Sequence, residues 1–187
     1  MSVPKINWPA SAEKLAAALP RGQLHPAVLA WADRKPALRG PWAVAFSGGA
    51  DSLALLLLLW AHWPARRKQL AALHFNHCLR GRASGGDEAF CRQVCAALGV
   101  RFFTARWRAA RPGSSEASAR AARFRFFERK LRATGCRVLW LGHQQDDIAE
   151  SILMRLARGS GTAGLAAPRP VQTMQDGRVH LRPLLTV

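Results

Sequence analysis

The stretch that decides the fold is Trp42-Ala43-Val44-Ala45-Phe46-Ser47-Gly48-Gly49-Ala50-Asp51-Ser52, followed without a break by Leu53-Ala54-Leu55-Leu56-Leu57-Leu58-Leu59-Trp60. A short apolar run, a tight glycine turn and a long apolar helix pattern read as strand, loop and helix. The same alternation continues outward. Apolar runs at Leu70–Phe75, Phe102–Trp107 and Val138–Leu141 alternate with helix patterns near 87–98, 115–134 and 146–158, several closed by Gly99, Gly135 and Gly159. Strands of four to six residues between helices of ten or more predict βαβ units. The expected fold is therefore an α/β, doubly wound, mainly parallel sheet of about five strands with helices on both faces. Val179–Leu181 is the fifth strand candidate. Right-handed crossovers put every loop after a strand on one sheet edge, so the chemistry is expected at 47–52, 76–88, 107–120 and 142–150.

Residues 1–40 hold Pro4, Pro9, Pro20, Pro26 and Pro36 around two short helix patterns and read as a lead-in; 41–187 read as the domain proper. The chain ends at Leu184-Leu185-Thr186-Val187 without a stop signal, which predicts continuation or a domain boundary. The longest apolar run, Leu53–Ala61, is about half of what a bilayer crossing needs, and no leader pattern opens the chain. A cytosolic location is expected.

Charge narrows the partner. The formal net charge is +17 on 187 residues, and 23 of the 28 basic residues are Arg, whose planar fork suits phosphate. Residues 101–137 alone carry a net +9. A polyanionic partner follows, with a membrane surface the weaker option. Cys78, Cys91, Cys95 and Cys136 lack metal-site spacing and read as small buried hydrophobes.

The loop 47–52 can cradle an anion: two glycines let the backbone approach a ligand, and the helix start points N–H groups at it. Ser47 and Ser52 add hydroxyls. Asp51 would repel a phosphate unless a bridging Mg²⁺ stands between them; its plain alternative is an N-terminal cap. The pattern is not Gly-x-x-x-x-Gly-Lys-Ser, which excludes a Walker-type site. Asp146 and Asp147 open the helix after the fourth strand and share the loop edge with Asp51; one is expected to cap, and Asp147 is favoured as the functional one. On the 115–134 helix, Ala117, Phe124, Phe127 and Leu131 define the expected apolar face, with Arg125, Arg129 and Arg132 opposite it. Arg120 falls inside the apolar arc, where a charge needs a phosphate or carboxylate partner, or must snorkel outward. Arg123 lies beside it.

Together these residues resemble the lysidine-synthetase branch of the PP-loop ATP pyrophosphatases. The Ser-Gly-Gly-x-Asp-Ser loop marks the wider group, which also holds NAD and GMP synthetases and tRNA thiolases. Nearer the branch are His74-Phe75-Asn76-His77-Cys78-Leu79-Arg80 with Asp87-Glu88, Glu116-Ala117 with Ala119-Arg120 and Arg123-Phe124, Gly142-His143-Gln144-Gln145-Asp146-Asp147 with Glu150, Arg155-Leu156-Ala157-Arg158-Gly159-Ser160-Gly161, and Arg182-Pro183-Leu184-Leu185. Gln144, Ile148 and Phe124 depart from the branch, where His, Gln and Tyr are common. The resemblance implies ATP on Ser47, Gly48, Gly49, Ala50, Asp51 and Ser52 with His74 nearby, Mg²⁺ on Asp51 and Asp147, and catalysis by Asp51, Asp147 and Arg120. It implies tRNA(Ile) and L-lysine as substrates, with Arg80, Arg123, Asp146, Glu150, Arg155 and Arg158 as their candidate contacts. A tRNA thiolase, or a nucleotide- and RNA-binding module without catalysis, are the readings kept beside it.

Overall fold

The computed structural model describes residues 6–34, 40–78, 82–107, 115–145 and 168–186. Among these residues six strands form one sheet: β1 Trp42–Ala45, β2 Leu70–Asn76, β3 Arg101–Arg106, β4 Val138–Trp140, β5 Val171–Thr173 and β6 Val179–Leu181. Their order is β3-β2-β1-β4-β6-β5, parallel throughout except that β5 runs antiparallel to β6. The expected sheet is present with one further strand. Val171-Gln172-Thr173 is short, partly exposed and on the edge, so its sequence carries little apolar pattern.

The helices among the described residues are α1 Trp8–Ala18, α2 Pro26–Ala32, α3 Ala50–His62, α4 Arg82–Leu98 and α5 Glu116–Ala133. The expected helix at 146–158 lies outside the described residues. Strand side chains alternate between faces. Trp42, Val44 and Phe46 join Leu70, Ala72, Val138 and Trp140 in a core shared with α1, α2, α3 and α4. Ala43, Leu73, Leu139 and Leu141 point the other way, onto Phe126, Phe127 and Leu131 of α5. The helix α3 is buried continuously from Leu55 to Trp60 because α1 covers the flank that the sheet leaves open. A helix that is apolar all round needs such cover. Ala12, Val28 and Ala32 of the lead-in therefore sit fully inside the main core.

Strand order reverses between β1 and β4. In open α/β sheets the crevice beyond the carboxyl ends at such a reversal is where ligands bind. Here the loops after β1 and β4 come into backbone contact. A Cβ placed on Gly142 would stand 3.0 Å from the Asp51 carbonyl oxygen and 3.2 Å from the Ser52 nitrogen. Gly48, at φ +96°, backs onto Cys91 of α4, whose Sγ would lie 3.2 Å from an added Cβ.

Replacing Gly142 by Ala must push one of two backbones aside. An overpacking cost of about 1–3 kcal/mol corresponds to a loss in Tm of roughly 2–12 °C for a chain of this size. Gly22→Ala, with nothing within 4 Å of the new methyl, serves as control in the same thermal melts. Equal Tm values for both variants would show that the two loops are not in contact.

Candidate active site

A cleft of about 590 Å³ opens at the reversal, lined by the 46–49 loop, Asp51, Ser52, the end of β2 at His74–His77, Asp87, the α5 residues Arg123, Phe124 and Phe127, and Leu141–His143. One wall is the glycine loop. Ser52 Oγ lies 2.9 Å from Ser47 Oγ, accepts the Ser47 N–H at 3.1 Å and lies 3.0 Å from the Gly49 carbonyl. These bonds fold the loop over the start of α3. Gly49 occupies the N-cap position and no side chain caps the helix. The first-turn amides of an uncapped helix are an anion seat, reinforced by the helix dipole.

Asp51 stands in that first turn, half-buried, and is not a cap. Gln144, from the loop after β4, donates its amide to Asp51 Oδ1. One carboxylate edge is thus held across the switch point. Among the described residues no group of three or more His, Cys, Asp or Glu side chains could hold a metal. Oxygen donors from one or two carboxylates, completed by phosphates and water, are the usual seat of Mg²⁺, and Asp51 fits that pattern.

Beside the loop, the end of β2 is imidazole and aromatic. His74 is buried and its Nδ1 lies 2.9 Å from the Phe46 carbonyl. His77 packs edge-on against Phe75 and Trp107. Burial, then Arg123 and His74, hold its pKa below the ordinary value. Glu88 lies behind the cleft, within 3.2 Å of Arg92 and 3.0 Å of Arg106. Burial pushes its carboxyl up, and hydrogen bonds from Arg106, Asn76 and Arg92 with the Arg106 charge outweigh this, so it sits below the usual range. Asn76 in turn accepts the Cys78 N–H at 2.8 Å, which holds Cys78 at φ 56° where the chain leaves β2.

The PP-loop domain profile ATP_bind_3 matches residues 31–187. The chain belongs to the PP-loop domain family. Among curated proteins it is similar to the tRNA(Ile)-lysidine synthases of Clostridium acetobutylicum (35% identical, covering 77% of this chain and 32% of that protein), Symbiobacterium thermophilum (42%; 76% and 30%) and Solibacter usitatus (44%; 69% and 28%). The chain thus spans about a third of the length of these relatives. Among solved structures it is similar in fold to the U34-tRNA thiolase NcsA of Methanococcus maripaludis, solved with its [4Fe-4S] cluster: TM-score 0.60, 20% identity, covering 95% of this chain and 58% of that one.

Within this PP-loop domain, the structure brings Ser47, Gly48, Gly49, Asp51, Ser52, His74 and Arg123 to one cleft, with Ala50 exposed on its rim. Asp146, Asp147, Glu150, Arg155, Arg158 and Arg80 lie outside the described residues. The wheel for α5 needs correction. Its buried side is Ala119, Phe126, Phe127 and Leu131, while Ala117 and Arg120 are exposed. Arg123 lies at the centre of that arc and is half-buried, whereas Arg120, on the same arc but a turn nearer the helix start, reaches outward and is exposed. Arg120 lies with its guanidinium 5.3 Å from the Phe124 ring, beside Arg123 at 5.6 Å. Cys91 and Cys95 are buried, and burial pushes both thiols up to about 12.

Sequence reading missed the group that backs Phe124. His180 of β6 stacks on its ring at 6.0 Å and 27°, and Arg182 donates to His143 Nδ1 at 3.2 Å. Burial lowers Arg182 to about 10, with help from Arg120. Burial, then Arg182 and Arg178, lower His180 to about 4, against a smaller opposing pull from Asp176. The unfolded chain then binds more protons than the folded one between pH 6.5 and 4, so stability falls as the pH falls through that window. The contribution is on the order of 3 kcal/mol. His180→Phe keeps the stack and removes the proton site; denaturant melts at pH 7 and pH 4.5 should show a smaller acid loss in the variant. An unchanged loss would remove His180 from the account.

Proposed function

We propose that this chain is the ATP-binding catalytic part of an enzyme that joins lysine to C2 of the wobble cytidine in tRNA(Ile) with a CAU anticodon. The observation that carries the reading is the uncapped α3 N-terminus beneath a glycine loop, with a carboxylate beside it, at the switch point of a parallel sheet. The lysidine-synthase relatives supply the substrate class. The enzyme is placed in the cytoplasm, where tRNA is modified.

In this reading the loop amides, Ser47 and Ser52 bind the ATP phosphates. The cytidine O2 attacks the α-phosphate and diphosphate leaves; the lysine ε-amine then attacks C2 and displaces AMP. Mg²⁺, when bound, supplies charge neutralisation on the phosphates, and Asp51 holds it, with Asp147 as the expected second carboxylate. Arg123 presents a cation to the cleft, and Arg120 one to its rim. Phosphoryl transfer of this kind is accelerated by positioning and fixed charge, which is what these groups provide. Arg125, Arg129 and Arg132 are exposed on α5 and offer a basic face to the tRNA backbone.

Incubation with ATP, lysine and total tRNA, with the remainder of the enzyme supplied, should yield a cytidine heavier by one lysine less water in the isoleucine tRNA bearing CAU. Methionine tRNAs with the same anticodon should stay unmodified. Sulfur incorporation, or modification of both tRNAs alike, would overturn the assignment.

Asp51→Asn should lower diphosphate release about 10²–10³-fold while weakening ATP binding far less, as expected for a group acting on transition-state charge. Near-normal release by the variant would remove Asp51 from the metal role.

A further inference from the structure

A second cavity, of about 490 Å³, lies between the last turns of α5 and the β5–β6 hairpin. The stack of Phe124 on His180 separates it from the cleft: Phe124 lines the cleft and His180 lines the second cavity. Antiparallel register sets Gln172 directly opposite His180, so the two side chains are neighbours on one face of the hairpin. His180 is 7% exposed, and neither its ring nor the Gln172 amide makes a side-chain hydrogen bond among the described residues. Burial keeps the ring neutral, so it offers one donor and one acceptor beside the donor and acceptor of the amide. Buried polar groups of this kind are normally satisfied, and here the cavity is the open side.

Arg178 forms a side wall. Asp176 holds its guanidinium through Nε at 2.6 Å, and Nη1 donates to the Glu128 carbonyl at 3.3 Å, which fixes the plane. The Asp176 carboxylate also accepts the Arg178 N–H at 3.1 Å, so both its oxygens are engaged. An ammonium group would therefore find little free carboxylate inside, and a small anion no free cation in the wall. A neutral planar group with donors and acceptors along one edge matches the lining: Gln amides pair with the edges of bases, and guanidinium planes stack on their faces. Outside, Arg125, Arg129 and Arg132 stand exposed at helical spacing on α5, and Arg132 is at the mouth of the cavity. That stripe suits the phosphates of the chain to which the base belongs.

We infer that this cavity receives one unstacked base of the bound RNA, other than the cytidine that reacts, with Gln172 and His180 on its edge, Arg178 against its face and Arg132 on its phosphate. The inference rests on the RNA reading of the protein and adds a second point of grip beyond the Phe124–His180 stack. These residues select and hold; none takes part in bond making.

The test is equilibrium binding of tRNA(Ile) bearing CAU, intact and with a single abasic substitution at each unpaired position in turn. At one position other than the reacting cytidine, loss of the base should weaken wild-type binding about 5–150-fold, the size of one base–protein stack. Gln172→Met and His180→Phe keep the size of the side chains and remove the hydrogen bonds; each should reduce the penalty at that position and leave the others unchanged. Thermal melts establish that both variants are folded, and a merely structural defect would weaken all the RNAs alike. If no such position exists in wild type, or if both variants keep the wild-type profile or weaken every RNA equally, the inference is wrong and the lysine-joining reading stands. If the profile is as expected and lysine is not incorporated, that reading fails and the base pocket stands. If wild type does not bind the tRNA at all, both fail.

Discussion

The site depends on one close approach: the backbone of the loop after β4 lies against the first turn of α3, with Gly142 where any side chain would strike the Asp51 carbonyl. The parallel pairing of β1 with β4 brings the two loops together, Trp42 opposite Val138 and Val44 opposite Trp140. Gln144 then spans the gap to Asp51. The glycine loop is thus supported from both sides, by Cys91 of α4 under Gly48 and by Gly142 under Asp51. Small residues at both supports are steric necessities, since the loop can approach a phosphate only if nothing fills the space behind it.

The two faces of the sheet divide the work. The face that packs on α3 and α4 carries His74, the Phe46 carbonyl and the glycine loop. The other face, under α5, sends Phe75, Phe124, Phe127 and Arg123 toward the same edge. The cleft therefore carries amides and the His74 imidazole on one side, aromatic rings and the Arg123 cation on the other. Period-two alternation in the strands produces this division, since neighbouring residues such as His74 and Phe75 must face opposite ways.

Much of this was legible in the sequence, because the central strands β1, β2 and β4 are buried on both faces and read as continuous apolar runs between glycine-punctuated helices. The loop Ser47–Ser52 was legible for the same reason: strand, two glycines and a long helix leave little choice of geometry. What failed to show were features that depend on tertiary packing. Val171–Thr173 has too few apolar residues to announce an edge strand. Arg120 and Arg123 share the inward arc of α5, and only their height along the helix separates them: Arg120, nearer the start, is exposed, while Arg123 is half-buried. The burial of His180 and Arg182 comes from β6 lying beside β4 under Phe124, a neighbour more than fifty residues away in the chain.

The cover that α1 gives to α3 has a consequence for the free-energy cost of binding. A helix buried along the sheet and again along its outer flank opens to solvent only with the whole core, so its amides belong among the slowest to exchange hydrogen for deuterium. The anion seat is the first turn of that helix, so it exists before any ligand arrives. Little ordering entropy is then charged against association on the protein's side. A phosphate group that binds there meets a surface that is already formed.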